Sequence, residues 1–542
     1  MARNLMFVGT ASNVGKSVIC TAMCRILHRD GYRVAPFKSQ NMSLNSAVTP
    51  SGREIGRAQA VQAEACGILP NEHMNPVLLK PMGGMRSQII LQGRVYDTRS
   101  ARDYFLDCKE EIWEAVLESH RFLAERYDVI VIEGAGSPVE MNLKSQEIVN
   151  MRTAEMANAS VILVADIDRG GVFASVVGTL QLLEPHERAR VKGVIVNKFR
   201  GDPGLFEEGR RLLEEYAGVP VLGVVPFIQD LGIDEEDSVG LQSDRYRISG
   251  HSSADLDLST DRRTDSPAGS HAGSHADSPA DSHGGSPADS RADFGSLRIA
   301  IVDVPHIANF TDFDPLFLEP CVQVYFCRKP EDMRGADAVI LPGTKSSMGD
   351  LEWLWATGWA AALREAQADG VWLFGVCGGY QMLGSRVCDP HHQESNVAEY
   401  PGLGLLDSVT TLFPEKVTVL VEGELSGNFT GVAVQGYEIH MGHTMHGAAR
   451  RPFAQTRRLS DPGRRMEGAV STDGRTIGTY LHGIFHNDAF RTAWLNRIRS
   501  AKGMPDQAVS VRAQETRDAA YDRLETVIRE HLDLDYIYRQ CF

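Results

Sequence analysis

Leu5-Met6-Phe7-Val8-Gly9-Thr10-Ala11-Ser12-Asn13-Val14-Gly15-Lys16-Ser17 runs from four apolar residues through a glycine-bounded loop to the start of a helix-like stretch. A loop in that place turns consecutive backbone amides and a helix amino terminus toward one point, the arrangement that holds phosphate. Lys16 then reaches the transferred phosphoryl group and Ser17 ligates magnesium (Mg2+), so Gly9, Ser12, Asn13, Gly15, Lys16 and Ser17 form an expected ATP site. The spacing departs from the common Gly-x4-Gly-Lys-Ser/Thr, because Thr10 stands where the first glycine falls and Gly9 precedes it. The loop is one residue longer and its physics is unchanged. A glycine turn without a ligand is the competing reading, and a lysine–serine pair between strand and helix argues against it.

Outward from this loop, short apolar runs at 33–37, 128–132, 161–165, 193–196 and 221–225 alternate with helix-length amphipathic stretches. That alternation predicts a parallel sheet covered by helices. From about 249 to 293 the chain repeats Ser, His, Ala, Asp, Gly and Pro with hardly an apolar side chain, which predicts a disordered linker. His251, His271, His275 and His283 lie there, irregularly spaced and without cysteine partners, so a metal site is the weaker reading. Apolar runs restart at 297–304, 322–326, 338–341 and 372–376, a second α/β domain. The expected organisation is therefore α/β throughout: a phosphate-loop parallel-sheet domain over 1–245, a linker over 246–295, a second α/β domain over 296–505 and a helical extension over 506–542.

Composition narrows the class. A chain of 542 residues with 43% hydrophobic and 23% charged residues is globular and too long for one core. No apolar run approaches the roughly 20 residues of a membrane span, and the first strand belongs to the loop, so a cytoplasmic protein without a membrane partner is expected. A net charge of −16 argues against nucleic acid as a partner. Nine cysteines without paired spacing read as reduced thiols, with Cys20, Cys24, Cys66, Cys321 and Cys327 in apolar context as core fillers.

Two further segments carry chemistry. The apolar strand ending Ile132-Glu133-Gly134-Ala135-Gly136 places a carboxylate where a second magnesium anchor belongs, and Glu133 is the candidate. Asp166 and Asp168 end the next strand and read equally as metal shell or as caps of the helix after Gly170-Gly171. Gly375-Val376-Cys377-Gly378-Gly379-Tyr380-Gln381 is a strand running into a helix with a thiol at the bend. Such a thiol is exposed at a helix amino terminus and attacks a carbonyl as the thiolate. His482 is the candidate base, and Gly343 together with the amide of Gly378 the candidate oxyanion hole.

The extended loop, Lys38 and the Glu133-Gly134-Ala135-Gly136 strand end resemble the dethiobiotin synthetase group of ATP-dependent carboxylate-activating enzymes. That resemblance implies that Lys38 touches the reacting phosphoryl and acid groups and that Asn197 reads the adenine. The partition ATPases are less similar, since their extra signature lysine would fall at Ala11. The thiol segment resembles the triad class of glutamine amidotransferases, in which Gln381 would help hold glutamine. That class carries a glutamate two residues after the histidine, and Ile484 stands there. A Cys377–His482 dyad without an orienting carboxylate is similar to the cobyrinate and cobyrate amidase branch. Within that branch, Lys38-Ser39-Gln40-Asn41-Met42-Ser43, Gly56-Arg57-Ala58-Gln59-Ala60 and Asn75-Pro76-Val77-Leu78-Leu79-Lys80-Pro81 resemble the cobyric acid synthases. The likeness covers nearly the whole chain except the linker.

It implies ATP- and glutamine-dependent amidation of adenosylcobyrinic acid a,c-diamide to adenosylcobyric acid, with Gln40 and Asn41 on the phosphoryl and substrate side, and it leaves room for a homodimer. Arg53, Arg57, Lys80 and Arg86 are candidates to counter the substrate carboxylates, with solvated surface charge as the alternative for each. Glu438 and His440 read as either pocket wall or plain strand pairing. Two other functions stay open: an amidase of another acid, such as a peptidoglycan precursor, and a partition-type ATPase switch.

Overall fold

The computed structural model describes residues 2–82, 86–100, 109–144, 147–229, 231–233, 296–448 and 451–542. The low-complexity segment and its four histidines lie outside the described residues. Two α/β domains are present. The first is a sheet of six parallel strands in the order Val221–Pro226, Val191–Phe199, Ser160–Asp166, Arg3–Gly9, Val129–Glu133 and Val34–Phe37. Helices cover both faces, which is why Leu5, Met6, Phe7 and Val8 are all fully buried and read as one unbroken apolar run. Strand order reverses around Arg3–Gly9, and ligands bind in the crevice beyond the carboxyl ends of strands at such a switch point. Register puts Phe7 beside Glu133, so the carboxylate emerges next to the loop.

The second sheet runs Val322–Cys327, Leu297–Val302, Ala338–Leu341, Trp372–Val376 and Thr476–Thr479 in parallel, closed by the antiparallel Ala469–Val470. Gly343, Cys377 and His482 each follow the carboxyl end of a strand in this sheet. Two further sheets, mixed and mostly antiparallel, fall outside the strand–helix alternation. One pairs Ser408–Leu425 with Ala433–His446; the other holds Gln40–Met42, Val77–Met82, Arg86–Leu91 and Arg94–Ser100.

The helices Ala513–His531 and Leu534–Cys541 return to the first domain. Tyr521, Leu524, Ile528, Leu532 and Ile537 share a core with Leu5, Phe7, Ile19 and Met23. Gly223 permits this, because a Cβ there would lie 2.0 Å from the carbonyl of His531. Arg529 pairs with Asp30 at 2.6 Å, and Asp522 with Arg25 at 2.6 Å. The end of the chain thus completes the core of the domain that begins it. Cys20, Cys24, Cys66 and Cys327 are buried and in no disulfide, while Cys321 is half-buried. Among the described residues no helix is long and apolar enough to cross a membrane.

Candidate active sites

At the phosphate loop, Gly15 has φ +95°, and a Cβ there would sit 2.2 Å from Asn197 Nδ2. Only glycine fits. Asn197 donates to the carbonyl of Val14 at 2.8 Å and Lys198 to that of Asn13 at 2.5 Å, so the end of Val191–Phe199 clamps the loop from behind. This contact takes one N–H of the Asn197 amide, whose second N–H and Oδ1 do not enter it, so it does not compete with the adenine role that the resemblance implies. A Cβ at Gly9 would approach Lys16 Nζ to 2.8 Å, and Gly136, at φ +56°, faces Ser12 Oγ. Lys16 Nζ donates to the carbonyls of Ala11 and Gly136 at 3.2 and 3.3 Å, which hold its ammonium over the loop.

Glu133, 1% exposed, gathers the rest. Its Oε1 accepts from Ser17 Oγ at 2.8 Å and from Lys38 Nζ at 2.9 Å, and its Oε2 from Gln62 Nε2 at 2.6 Å. Asn41 donates to Gln59 at 3.2 Å, and Gln40 precedes it on the same short strand. Gln59 and Gln62 lie three apart on the buried face of helix Arg57–Ala65, the one trace in the sequence of the Gln62 contact. Asp166 and Asp168 pair with Lys198 at 3.0 Å and Arg200 at 2.7 Å, and the helix Val172–Leu182 has no side-chain cap. Among the described residues there is no cluster of three His, Cys, Asp or Glu side chains that could hold a metal. The Ser17 hydroxyl and the Glu133 carboxylate are hard oxygen donors, the set magnesium takes when phosphate oxygens supply the remainder.

At the thiol, Cys377 adopts φ +53° and ψ −110°, a backbone region that costs a non-glycine residue on the order of 1–3 kcal/mol. The strain is held by close packing: a Cβ at Gly379 would lie 2.0 Å from the carbonyl of Leu341. Cys377 Sγ donates to the Ile439 carbonyl at 3.3 Å. Gly343 borders both partners, its would-be Cβ 3.2 Å from His482 Cε1 and 3.8 Å from Cys377 Cβ, while Gly378 packs on Thr344. Gln381 is buried, accepting from Ser347 Oγ at 2.6 Å and donating to the Met441 carbonyl at 2.9 Å, and it lines the cavity with Cys377 and His482.

The site is not a dyad without an orienting carboxylate, because Asp312 supplies one. His482 Nδ1 lies 2.6 Å from Asp312 Oδ2, and Oδ1 of the same carboxylate accepts from the amide of Gly483 at 2.9 Å. Asp312 comes from the turn Phe310–Phe313, far upstream, where no motif spacing reveals it. Burial works against charge on this imidazole, but the Asp312 carboxylate and the Cys377 sulfur outweigh it and raise it to about 10. Its other ring nitrogen, the buried Nε2, is left to interact with Cys377, the position from which a proton is exchanged with a substrate. Glu438 is 3.6 Å from His440 instead, and His440 stacks on Tyr480 at 3.8 Å. Both lie in the strand Ala433–His446, and His440 also lines the cavity.

Four charged groups of this cavity were missed by sequence reasoning as a set: Lys80, Lys345, Lys416 and Glu394. Lys80 comes from the first domain. With Lys416 it pairs to Glu54, itself 1% exposed, Lys80 at 2.8 Å and Lys416 at 2.5 Å. Lys80 thus faces the thiol cavity and a buried carboxylate, not an open substrate surface. Burial drives Lys416 down to about 7 against the attraction of Glu54, and raises Glu394 to about 7 against that of Lys345.

Two sites of this kind on one chain define the class: a glutamine amidotransferase domain joined to a nucleotide-binding phosphate-loop domain. Residues 298–490 match the family of CobB/CobQ-like glutamine amidotransferase domains, and residues 5–239 that of CobQ/CobB/MinD/ParA nucleotide binding domains. The chain is 45% identical to a cobyric acid synthase of Klebsiella pneumoniae (strain 342), with 99% of this chain and 98% of that protein covered. Similar relatives, also named cobyric acid synthase, occur in Citrobacter koseri at 45% identity and Salmonella agona (strain SL483) at 44%, each with the same coverage of both chains. The chain belongs to the cobyric acid synthase family.

Proposed function

We propose that the chain uses ATP and glutamine to convert carboxylates of adenosylcobyrinic acid a,c-diamide into amides, yielding adenosylcobyric acid in cobalamin biosynthesis. The observation that carries the coupling of the two activities is the composite cavity, which Lys80 of the first domain and Cys377 of the second both line. A carboxylate oxygen is too poor a leaving group for ammonia to displace. Transfer of the ATP terminal phosphoryl group to that oxygen makes an acyl phosphate, from which ammonia expels phosphate. Lys16 and Lys38 neutralise charge on the moving phosphoryl group. Ser17 and Glu133 would hold a magnesium ion, which when bound supplies further neutralisation of the phosphate oxygens.

In the second domain, the Cys377 thiolate attacks the glutamine side-chain amide. Gly343 and the amide of Gly378 face the oxygen that becomes negative. The His482 imidazolium gives its proton to the departing nitrogen, so ammonia leaves and a glutamyl thioester remains. Neutral His482, held by Asp312, then takes a proton from water, which cleaves the thioester to glutamate and free thiol. Glu394 and Lys345 offer the cavity opposite charges that match the ammonium and carboxylate of glutamine.

The test is product analysis by mass spectrometry with two nitrogen donors. Cys377→Ser loses glutamine-driven amidation, on the order of a thousandfold or more, and keeps ammonium-driven amidation, because only the ammonia source is removed. Lys16→Ala loses both by roughly 10²–10³-fold. Equal loss with both donors in Cys377→Ser overturns the division of labour.

A further inference from the structure

An imidazole held only through Nδ1 is fixed at one point and free to tilt about that hydrogen bond. His482 has a second support that removes the tilt. The ring of Tyr437 stacks on it, with centroids 5.1 Å apart and planes within 12°, and the two residues exchange backbone hydrogen bonds of 2.9 and 3.3 Å. Both supports are held by residues of the other domain. Arg57 Nη2 donates to Tyr437 Oη at 2.6 Å, with its guanidinium carbon 5.6 Å from the ring centroid. The amide of Ser46 donates at 2.8 Å to Oδ1 of Asn309, a 3% exposed residue at φ +54° that opens the turn bearing Asp312. One segment of the first domain, from the hairpin strands Ser46–Val48 and Glu54–Gly56 into the first turn of Arg57–Ala65, therefore grips the Asp312 turn and the stacked tyrosine at once.

We propose that Arg57 is a positioning residue for glutamine hydrolysis, acting from the ATP-binding domain through Tyr437 on the orientation of His482; this rests on the reading of Cys377 and His482 as the glutamine-cleaving pair. Proton transfer needs the imidazole within about 10–20° of its productive orientation, so a tyrosine released from Arg57 slows the chemistry without altering the pocket that binds glutamine. Five residues along the same helix, Gln62 holds Glu133. The element that orients the histidine is therefore rooted in the phosphate site.

The experiment compares Arg57→Met, Arg57→Lys and Tyr437→Phe with the parent in the full chain. Glutamate release, ammonium-driven amidation, thermal unfolding and the rate of Cys377 alkylation by iodoacetamide are measured. For Arg57→Met, kcat for glutamate release falls by about tenfold or more with KM for glutamine within about twofold, since misplacement of about an ångström costs up to 10²-fold. Ammonium-driven amidation falls far less than glutamate release does, and Cys377 is alkylated more slowly once the imidazole beside it is displaced. Arg57→Lys recovers part of kcat by keeping a cation over the ring. Tyr437→Phe, which keeps the stack and loses the hydroxyl, moves kcat in the same direction and serves if Arg57→Met does not fold. Unchanged kcat in these variants beside an inactive Cys377→Ser overturns the proposal and leaves the glutaminase reading standing. Retained glutamine use in Cys377→Ser overturns that reading itself. Equal loss with ammonium shows a merely structural contact and also overturns the proposal.

Discussion

The phosphate loop crosses from strand to helix over residues 10–15, whereas the thiol segment makes the same crossing at the single residue Cys377. The longer crossing spreads its work over consecutive backbone amides, whose directions are set by local dihedral angles. Its outside help comes from the same domain: Glu133 from the adjoining strand, Asn197 and Lys198 from the far end of Val191–Phe199, and Gln62 from the helix Arg57–Ala65. The sharp crossing aims one side chain and has to import everything else. Its partners come from Asp312, Gly343, Ile439 and His482, and the supports of those partners come from Ser46 and Arg57 in the other domain. A site of backbone amides is local by construction, while a site of converging side chains is as distributed as the fold that assembles it. The thiol site is accordingly the one that remote substitutions damage.

The strongest way to break this contrast is at Asp312. Asp312→Asn leaves His482 without its negative partner and lowers glutamine hydrolysis by roughly 10³–10⁴-fold, with ammonium-driven amidation intact. Glu438→Gln, which touches His440 instead, changes hydrolysis only a few-fold. Comparable losses in glutamate release from the two variants would transfer the orienting role to Glu438.

A smaller effect tests the joint between the domains. Glu54→Gln leaves the Lys80 ammonium buried without its anion and drives the proton off Lys416, a loss of about 3–5 kcal/mol of stability in denaturant unfolding. Asp522→Asn, at the half-exposed pair with Arg25 and Arg29, costs about 0–1 kcal/mol. If the two substitutions cost the same, the cluster around Glu54 is not a buried interdomain lock.

The smallest effect is a pH dependence confined to the thiol side. Burial raises Glu394 to about 7, so it gains its negative charge as pH rises through that value. If the anion holds the ammonium of glutamine, KM for glutamine falls a few-fold between about pH 6 and 8, and Glu394→Gln removes the slope. In the free protein the sign is opposite. A carboxyl raised from 4.5 to about 7 contributes stability that is present below 4.5 and is lost as pH rises through 7. A flat KM profile in the parent would remove Glu394 from glutamine binding.

From the linear chain alone came the two α/β domains, the phosphate loop, the carboxylate at Glu133 and the thiol between glycines, because each is written in contiguous residues. Apolar runs of period-free strands, a lysine–serine pair at a helix start, and glycines at 375, 378 and 379 are local necessities of backbone geometry. The antiparallel pair Ser408–Leu425 and Ala433–His446 left no such mark, since its half-exposed strands mix polar and apolar residues. Only the tertiary structure decided what orients His482, where Lys80 points, and which core the last helices complete. Asp312 lies 170 residues from His482, Arg57 lies 380 from Tyr437, and neither separation carries a pattern. Ion pairs and ring stacks act over a few ångströms of space. The sequence orders residues along the chain, and only folding turns that order into distance.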